Sequence, residues 1–118
     1  MTTPDDLIAL VRTYNPRTNE RLIREAWTFG DQMHEGQRRQ SGEPYFTHPV
    51  AVAVILAEQQ MDDATIITAL LHDTIEDTKA SFTDVEQRFG REIAELVDGV
   101  TKLTNIQLTS VQIGRAHV

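Results

Sequence analysis

The residues best equipped for chemistry lie in one stretch, Ala69-Leu70-Leu71-His72-Asp73-Thr74-Ile75-Glu76-Asp77-Thr78. An apolar run ends in an adjacent His–Asp pair, and two further carboxylates follow within a turn. On a continuous α-helix, residues four apart share a side, so His72 is expected to lie beside Glu76, and Asp73 beside Asp77. Carboxylates toward a helix C-terminus are opposed by the macrodipole, and a bound cation would offset that. His48 stands immediately before Pro49. A helix N-terminus disfavours a charged imidazolium there, leaving the ring neutral as metal ligation requires. A lone histidine at such a place is more often a cap or turn residue. The balance changes because an antiparallel neighbouring helix can bring His48 to His72 and Asp73. Two imidazoles and a carboxylate suit a divalent ion such as Mn²⁺, Fe²⁺ or Zn²⁺. One turn further on, Glu76 or Asp77 could orient or deprotonate an attacking water. Read blandly, both are surface acids.

Arg38 and Arg39, beside Ser41-Gly42, are the densest local positive charge. Arginine can fork onto phosphate oxygens or stack on a base, although a solvated pair on a loop is the ordinary reading. Lys102 is a weaker candidate of the same kind. His34 reads as a structural histidine packed against the loop, not as a ligand.

Helices must position these groups. Spacing of Leu7, Ile8 and Val11 predicts a first helix from Asp5 to about Tyr14, ended by Asn15-Pro16. A second runs from about Asn19 or Glu20 to Glu35, with Leu22, Ile23, Ala26, Trp27, Phe29 and Met33 as a broad stripe and Gly36 as its cap. Ser41-Gly42-Glu43-Pro44 marks an ordered loop. Pro49 opens a third helix at a position where its missing N–H costs nothing. Its run from Val50 to Ala57 is apolar on all sides, which predicts a central, buried helix. Asp62 or Asp63 caps a fourth that carries the His–Asp motif. Thr83 with Glu86 forms a capping-box pattern for a fifth, stopped by Gly90, and a sixth runs from about Arg91 toward Thr101. No strand, repeat or linker is evident, so the fold class is all-α.

The bulk numbers narrow the function. At 118 residues the chain is at most one small domain. No apolar run approaches the roughly 20 residues of a membrane span, and no secretory signal opens the chain. The absence of cysteine removes disulfides and thiolate sites and fits a cytoplasmic location. A net charge of −7 argues against a nucleic-acid groove. It also means that an anionic substrate would need local positive charge, from a metal ion or arginines.

Several linked segments resemble a known family. They are His34-Glu35-Gly36-Gln37-Arg38-Arg39-Gln40-Ser41-Gly42-Glu43-Pro44-Tyr45, His48-Pro49, Ala69 to Asp73 with Glu76-Asp77-Thr78, and Phe89-Gly90 followed by Leu96 to Leu103. Together, over about residues 20–104, they resemble the N-terminal hydrolase domain of RelA/SpoT-type proteins, which make and degrade the stringent-response alarmones ppGpp and pppGpp. The resemblance implies an HD-superfamily helical domain holding one Mn²⁺ and removing the 3′-pyrophosphate of the alarmone to give GDP or GTP. By motif, His48, His72 and Asp73 match three metal ligands, and Glu76 and Asp77 match the acidic pair that handles water. Arg39 matches the arginine that contacts the guanine nucleotide, and Ser41 is assigned to substrate with it.

Members that have lost hydrolysis replace the His–Asp region, which is intact here. The family's fourth ligand comes from an Ala-Asp-Arg-like helix downstream, a motif this sequence does not contain; Asp98 belongs to a different motif. Residues 1–112 are therefore expected to be a partial, C-terminally truncated domain of a longer parent of the GTP pyrophosphokinase family or of a stand-alone hydrolase. Ile113-Gly114-Arg115-Ala116-His117-Val118 matches the translation of a common sequencing adapter and is expected to be no part of the fold. No nucleic-acid or membrane partner is expected for this segment, and any ribosome association would belong to the parent. The alternatives are another HD-superfamily nucleotide phosphohydrolase, or a non-catalytic metal- or nucleotide-binding fragment.

Overall fold

The computed structural model describes residues 2–116, with side chains through residue 103. It contains α1 (Pro4–Arg12), α2 (Glu20–Met33), α3 (Thr47–Glu58), α4 (Asp63–Leu71), α5 (Thr74–Asp77), α6 (Phe82–Phe89) and α7 (Arg91–Ala116). The all-α expectation holds: the only β-type pairing among the described residues is an isolated bridge between Arg38 and Pro44. Among the described residues, no helix is long and apolar enough to cross a membrane.

Short polar side chains start most helices by accepting from otherwise unpaired first-turn N–H groups. Thr3 and Asp6 form a reciprocal capping box on α1, Asn19 accepts from the Leu22 N–H at 3.1 Å, and Asp62 accepts from the Thr65 N–H at 2.9 Å. For α6 the expected Thr83–Glu86 box is not the one used. Ser81 and Asp84 form it instead, because the chain leaves its extended course two residues earlier than the pattern suggested.

The central helix is α4, not α3. Six consecutive residues of α4, Ile66 to Leu71, are buried, and α1, α2, α3 and α7 gather around this helix and one another. Helix α3 lies against α1 and α4 and leaves Ala51 exposed and Ile55 57% exposed. Its all-round apolar composition allowed burial on every side, but a helix is buried only where neighbours reach it. Gly30 lets α2 approach closely: a Cβ there would collide with Phe46 Cε1 and stand 3.1 Å from the Leu70 carbonyl oxygen. The α1–α2 turn is tied to the start of α4 by Asp63, whose carboxylate accepts from the Asn19 N–H at 2.8 Å.

Two further differences concern the helix ends. The expected fourth helix is interrupted at His72-Asp73, so α4 ends at Leu71 and α5 begins at Thr74. Helix α7 runs past the expected end near Thr101 to Ala116, as the lack of glycine or proline from Val100 to Ile113 permits. Of the expected adapter-derived tail, residues 113–116 continue α7 in place of lying outside the fold, and residues 117–118 lie outside the described residues.

Candidate metal centre

The interruption in the helix builds the site. Asp73 has φ −98° and ψ −1°, in the sparsely used bridge region. Side chains satisfy backbone groups around the break. His72 Nδ1 lies 2.6 Å from the Ala69 carbonyl oxygen, and the Thr101 hydroxyl lies 3.2 Å from both the His72 and the Val97 carbonyl oxygens, able to donate to either. A one-turn bond from the Asp77 N–H to the Asp73 carbonyl, 2.9 Å, restarts the helix. Asp73 therefore precedes α5 as its N-terminal cap residue, and Glu76 and Asp77 sit in the first turn of that short helix. The opposing-dipole argument for a cation thus falls away, and the case for one rests on geometry.

That geometry is specific. A carbonyl can only accept, so His72 Nδ1 carries a hydrogen and Nε2 is the nitrogen left to ligate. His72 Nε2 stands 3.1 Å from Asp73 Oδ2. With a neutral ring, two lone-pair atoms face each other, an arrangement that needs a proton or a cation between or beside them. The His48 ring comes from α3 at 5.7 Å, edge-on to His72. One ligand atom from each of His48, His72 and Asp73 lies within 4.8 Å of the other two. All three residues are partly buried. The donor set fits a divalent ion that accepts imidazole and carboxylate together.

The electrostatics agree with this. Burial lowers the pKa of His48, and the charge on His72 lowers it further, so His48 is held neutral. Burial also pushes His72 downward, but bonding to Asp73 and to the Ala69 carbonyl outweighs it and raises the pKa overall. For Asp73, burial acts upward and is overcome by hydrogen bonds from His72 and Tyr45, leaving the carboxylate ionised below its usual range. In the metal-free protein these contacts favour a proton on His72.

Among the other sequence candidates, Glu76 and Asp77 are exposed at the rim rather than in the cluster. The field of Asp77 nonetheless reaches His72, where it favours the protonated ring. Arg39 is exposed on a tight loop closed by its N–H donating to the Glu43 carbonyl (2.8 Å) and by the Gly42 N–H donating back to its own (2.8 Å). Its charge is felt at His48 and at Tyr45. Ser41 is exposed on the same loop. Arg38 donates to the Gly42 carbonyl at 2.9 Å, and Lys102 pairs with Asp98 at 2.9 Å. His34 is buried with its Nδ1 2.9 Å from Gln37 Oε1, but it is not the fully satisfied structural histidine expected, since its buried Nε2 has no hydrogen-bond partner among the described residues.

Sequence reasoning gave no role to Tyr45, whose hydroxyl donates to Asp73 Oδ2 at 2.6 Å, or to Gln37, which donates to the Asp77 carbonyl at 2.7 Å. Both lie in the loop motif, and an aromatic hydroxyl just after the Glu43-Pro44 turn was the available signal.

The profile of the HD domain family matches residues 26–117, a span that includes all three clustered residues. The chain belongs to the HD domain family. Among individual relatives it is 52% identical over 113 residues to the bifunctional (p)ppGpp synthase/hydrolase SpoT of Escherichia coli, a match covering 96% of this chain and 16% of that protein. The same identity and coverage hold for the guanosine-3′,5′-bis(diphosphate) 3′-pyrophosphohydrolase of Shigella flexneri. Identity to the GTP pyrophosphokinase rsh of Brucella melitensis is 49% over 112 residues, covering 95% of this chain and 15% of that protein. The chain thus spans about one sixth of the length of these relatives.

Proposed function

We propose that this HD domain is the hydrolase portion of a RelA/SpoT-type protein, removing pyrophosphate from the 3′ position of ppGpp or pppGpp in the cytoplasm. The observation that carries the reading is the convergence of His48, His72 and Asp73 ligand atoms within 4.8 Å, in a chain about half identical to proteins named for that hydrolysis. His48, His72 and Asp73 would hold one divalent ion, Mn²⁺ in this proposal. When bound, such an ion acidifies water and offsets phosphate charge.

The chain's own residues supply the remainder. His72 presents Nε2 because Ala69 occupies Nδ1, and His48 stays neutral because burial and His72 disfavour its charge. Glu76 and Asp77, on the turn after the ligands, orient the attacking water and take its proton. Arg39 meets the anionic nucleotide, with Ser41 beside it on the loop. Local positive charge at Arg39 answers the unfavourable net charge of −7.

The test is release of pyrophosphate from ppGpp by the parent protein with and without Mn²⁺, alongside Asp73→Ala. Metal-dependent release that Asp73→Ala abolishes is expected. Full activity in Asp73→Ala with metal still required would defeat the assignment.

A further inference from the structure

Tyr45 projects from the loop onto the one carboxylate of the cluster. Its hydroxyl donates to Asp73 Oδ2 at 2.6 Å, within the range of a charge-assisted O–H···O⁻ bond. The same oxygen lies 3.1 Å from His72 Nε2. An aspartate side chain can rotate to present either oxygen or neither, and the Tyr45 hydroxyl bond to Oδ2, which does not depend on a proton at His72 Nε2, restricts that freedom.

Tyr45 is itself braced. Its backbone N–H donates to the Gln37 carbonyl at 2.9 Å, and its ring packs on the buried His34 ring with centroids 4.9 Å apart. His34 Nδ1 meets Gln37 Oε1 at 2.9 Å, and Gln37 Nε2 donates to the Asp77 carbonyl at 2.7 Å. Because Gln37 gives its amide hydrogens to Asp77, its oxygen must accept from His34 Nδ1–H. The donor directions are therefore consistent along the whole chain of contacts. One small unit of His34, Gln37 and Tyr45 grips both ends of α5, at Asp73 and at Asp77.

We propose that Tyr45 is a positioning residue of the metal centre: braced by His34 and Gln37, its hydroxyl fixes the rotamer of the Asp73 carboxylate and so sets how tightly the cation is held. The inference rests on the metal reading above. Groups that hold a ligand from behind commonly contribute a factor of about 10 to 100 in metal affinity, and a factor of that order is expected here.

The experiment is titration of the full 118-residue chain with Mn²⁺ by calorimetry, and with Co²⁺ by visible absorption, for wild type, Tyr45→Phe and His48→Ala. Tyr45→Phe keeps the ring on His34 and removes only the hydroxyl. Expected are Mn²⁺ affinity weakened by about 10- to 100-fold, unchanged far-ultraviolet circular dichroism, and a shifted Co²⁺ ligand-field band. A residue that merely packs the loop would lower the unfolding midpoint without moving either metal readout. Wild-type affinity and an unchanged Co²⁺ spectrum in Tyr45→Phe would overturn the proposal while leaving the metal site standing. Wild-type binding that His48→Ala does not weaken, or no binding by wild type, would instead overturn the site and the proposal with it. Should Tyr45→Phe fail to fold, Gln37→Glu provides the second arm. It keeps an acceptor for His34 and loses the donor to Asp77, and it is expected to weaken Mn²⁺; unchanged affinity there counts against the brace.

Discussion

Replacing Gly30 by alanine tests how tightly the scaffold holds the two histidines. A Cβ at this position collides with Phe46 Cε1 and lies 3.1 Å from the Leu70 carbonyl oxygen. Phe46 cannot swing into solvent to relieve the clash. It is 4% exposed, with Trp27 edge-on at 5.8 Å and His34 stacked at 6.3 Å. The other neighbour is backbone of α4, the most buried helix, and cannot move without its packing. Overpacking of this kind costs about 1–3 kcal/mol, while alanine in a helix interior regains roughly 0.5–1 kcal/mol over glycine. The expected net loss is about 1 kcal/mol, from the midpoints of those two terms. Phe46 lies two residues before His48, and Leu70 two before His72, so displacement should also loosen metal binding. Urea unfolding checks the first expectation, as a lower midpoint at constant slope, and Mn²⁺ titration checks the second. A Gly30→Ala protein as stable as wild type would refute the close-approach argument.

Three other outcomes follow from the site. Divalent metal should raise the thermal midpoint of wild type, since a ligand at 100 times its Kd stabilises by about 2.7 kcal/mol; Asp73→Asn, of equal size, should lose most of that rise in a thermal melt. In the metal-free protein, Asp73 has a depressed pKa, so its contribution is present above the unfolded carboxylate value near 3.9 and is lost as pH falls through the folded one. His72 has a raised pKa, so its contribution is complete below about 6.5 and is lost as pH rises through the folded value. His48, with a lowered pKa, works in the opposite sense, losing its contribution as pH falls through the folded value. Unfolding free energies in chelator across pH 3 to 9 should therefore show a pair-dependent plateau that Asp73→Asn removes. Finally, on the proposed hydrolase reading, Glu76→Gln should leave Mn²⁺ affinity nearly unchanged and slow ppGpp hydrolysis by roughly 10²–10⁴, the usual worth of a positioned acid–base group; equal loss of metal affinity would make Glu76 a ligand instead.

Much of this was legible in the sequence, and what was not has identifiable causes. The apolar periodicity around Ile66, Ile67, Leu70 and Leu71 is local and specifies α4 directly. The placement of His48 opposite His72 followed from antiparallel neighbouring helices. The break at His72-Asp73 was not legible, because tertiary contact accompanies it: the hydroxyl of Thr101, 29 residues downstream, lies 3.2 Å from the His72 carbonyl oxygen. Periodicity sees spacing and not such bonds, so it continued the helix through Asp77. The central position given to α3 failed for a related reason, since composition measures what a helix tolerates and not what surrounds it. Tyr45 was in view as part of a motif, but its bond to Asp73 spans 28 residues and only the fold reveals it.

The most direct measurement of the central claim is a crystal structure of the domain grown with Mn²⁺, with anomalous difference maps. One peak is expected within about 2.0–2.3 Å of His72 Nε2, an imidazole nitrogen of His48 and a carboxylate oxygen of Asp73, distances typical of first-row ions with these donors. A peak at the exposed carboxylates of Glu76 and Asp77 in place of this one, or no peak between the two histidines at saturating Mn²⁺, would contradict it.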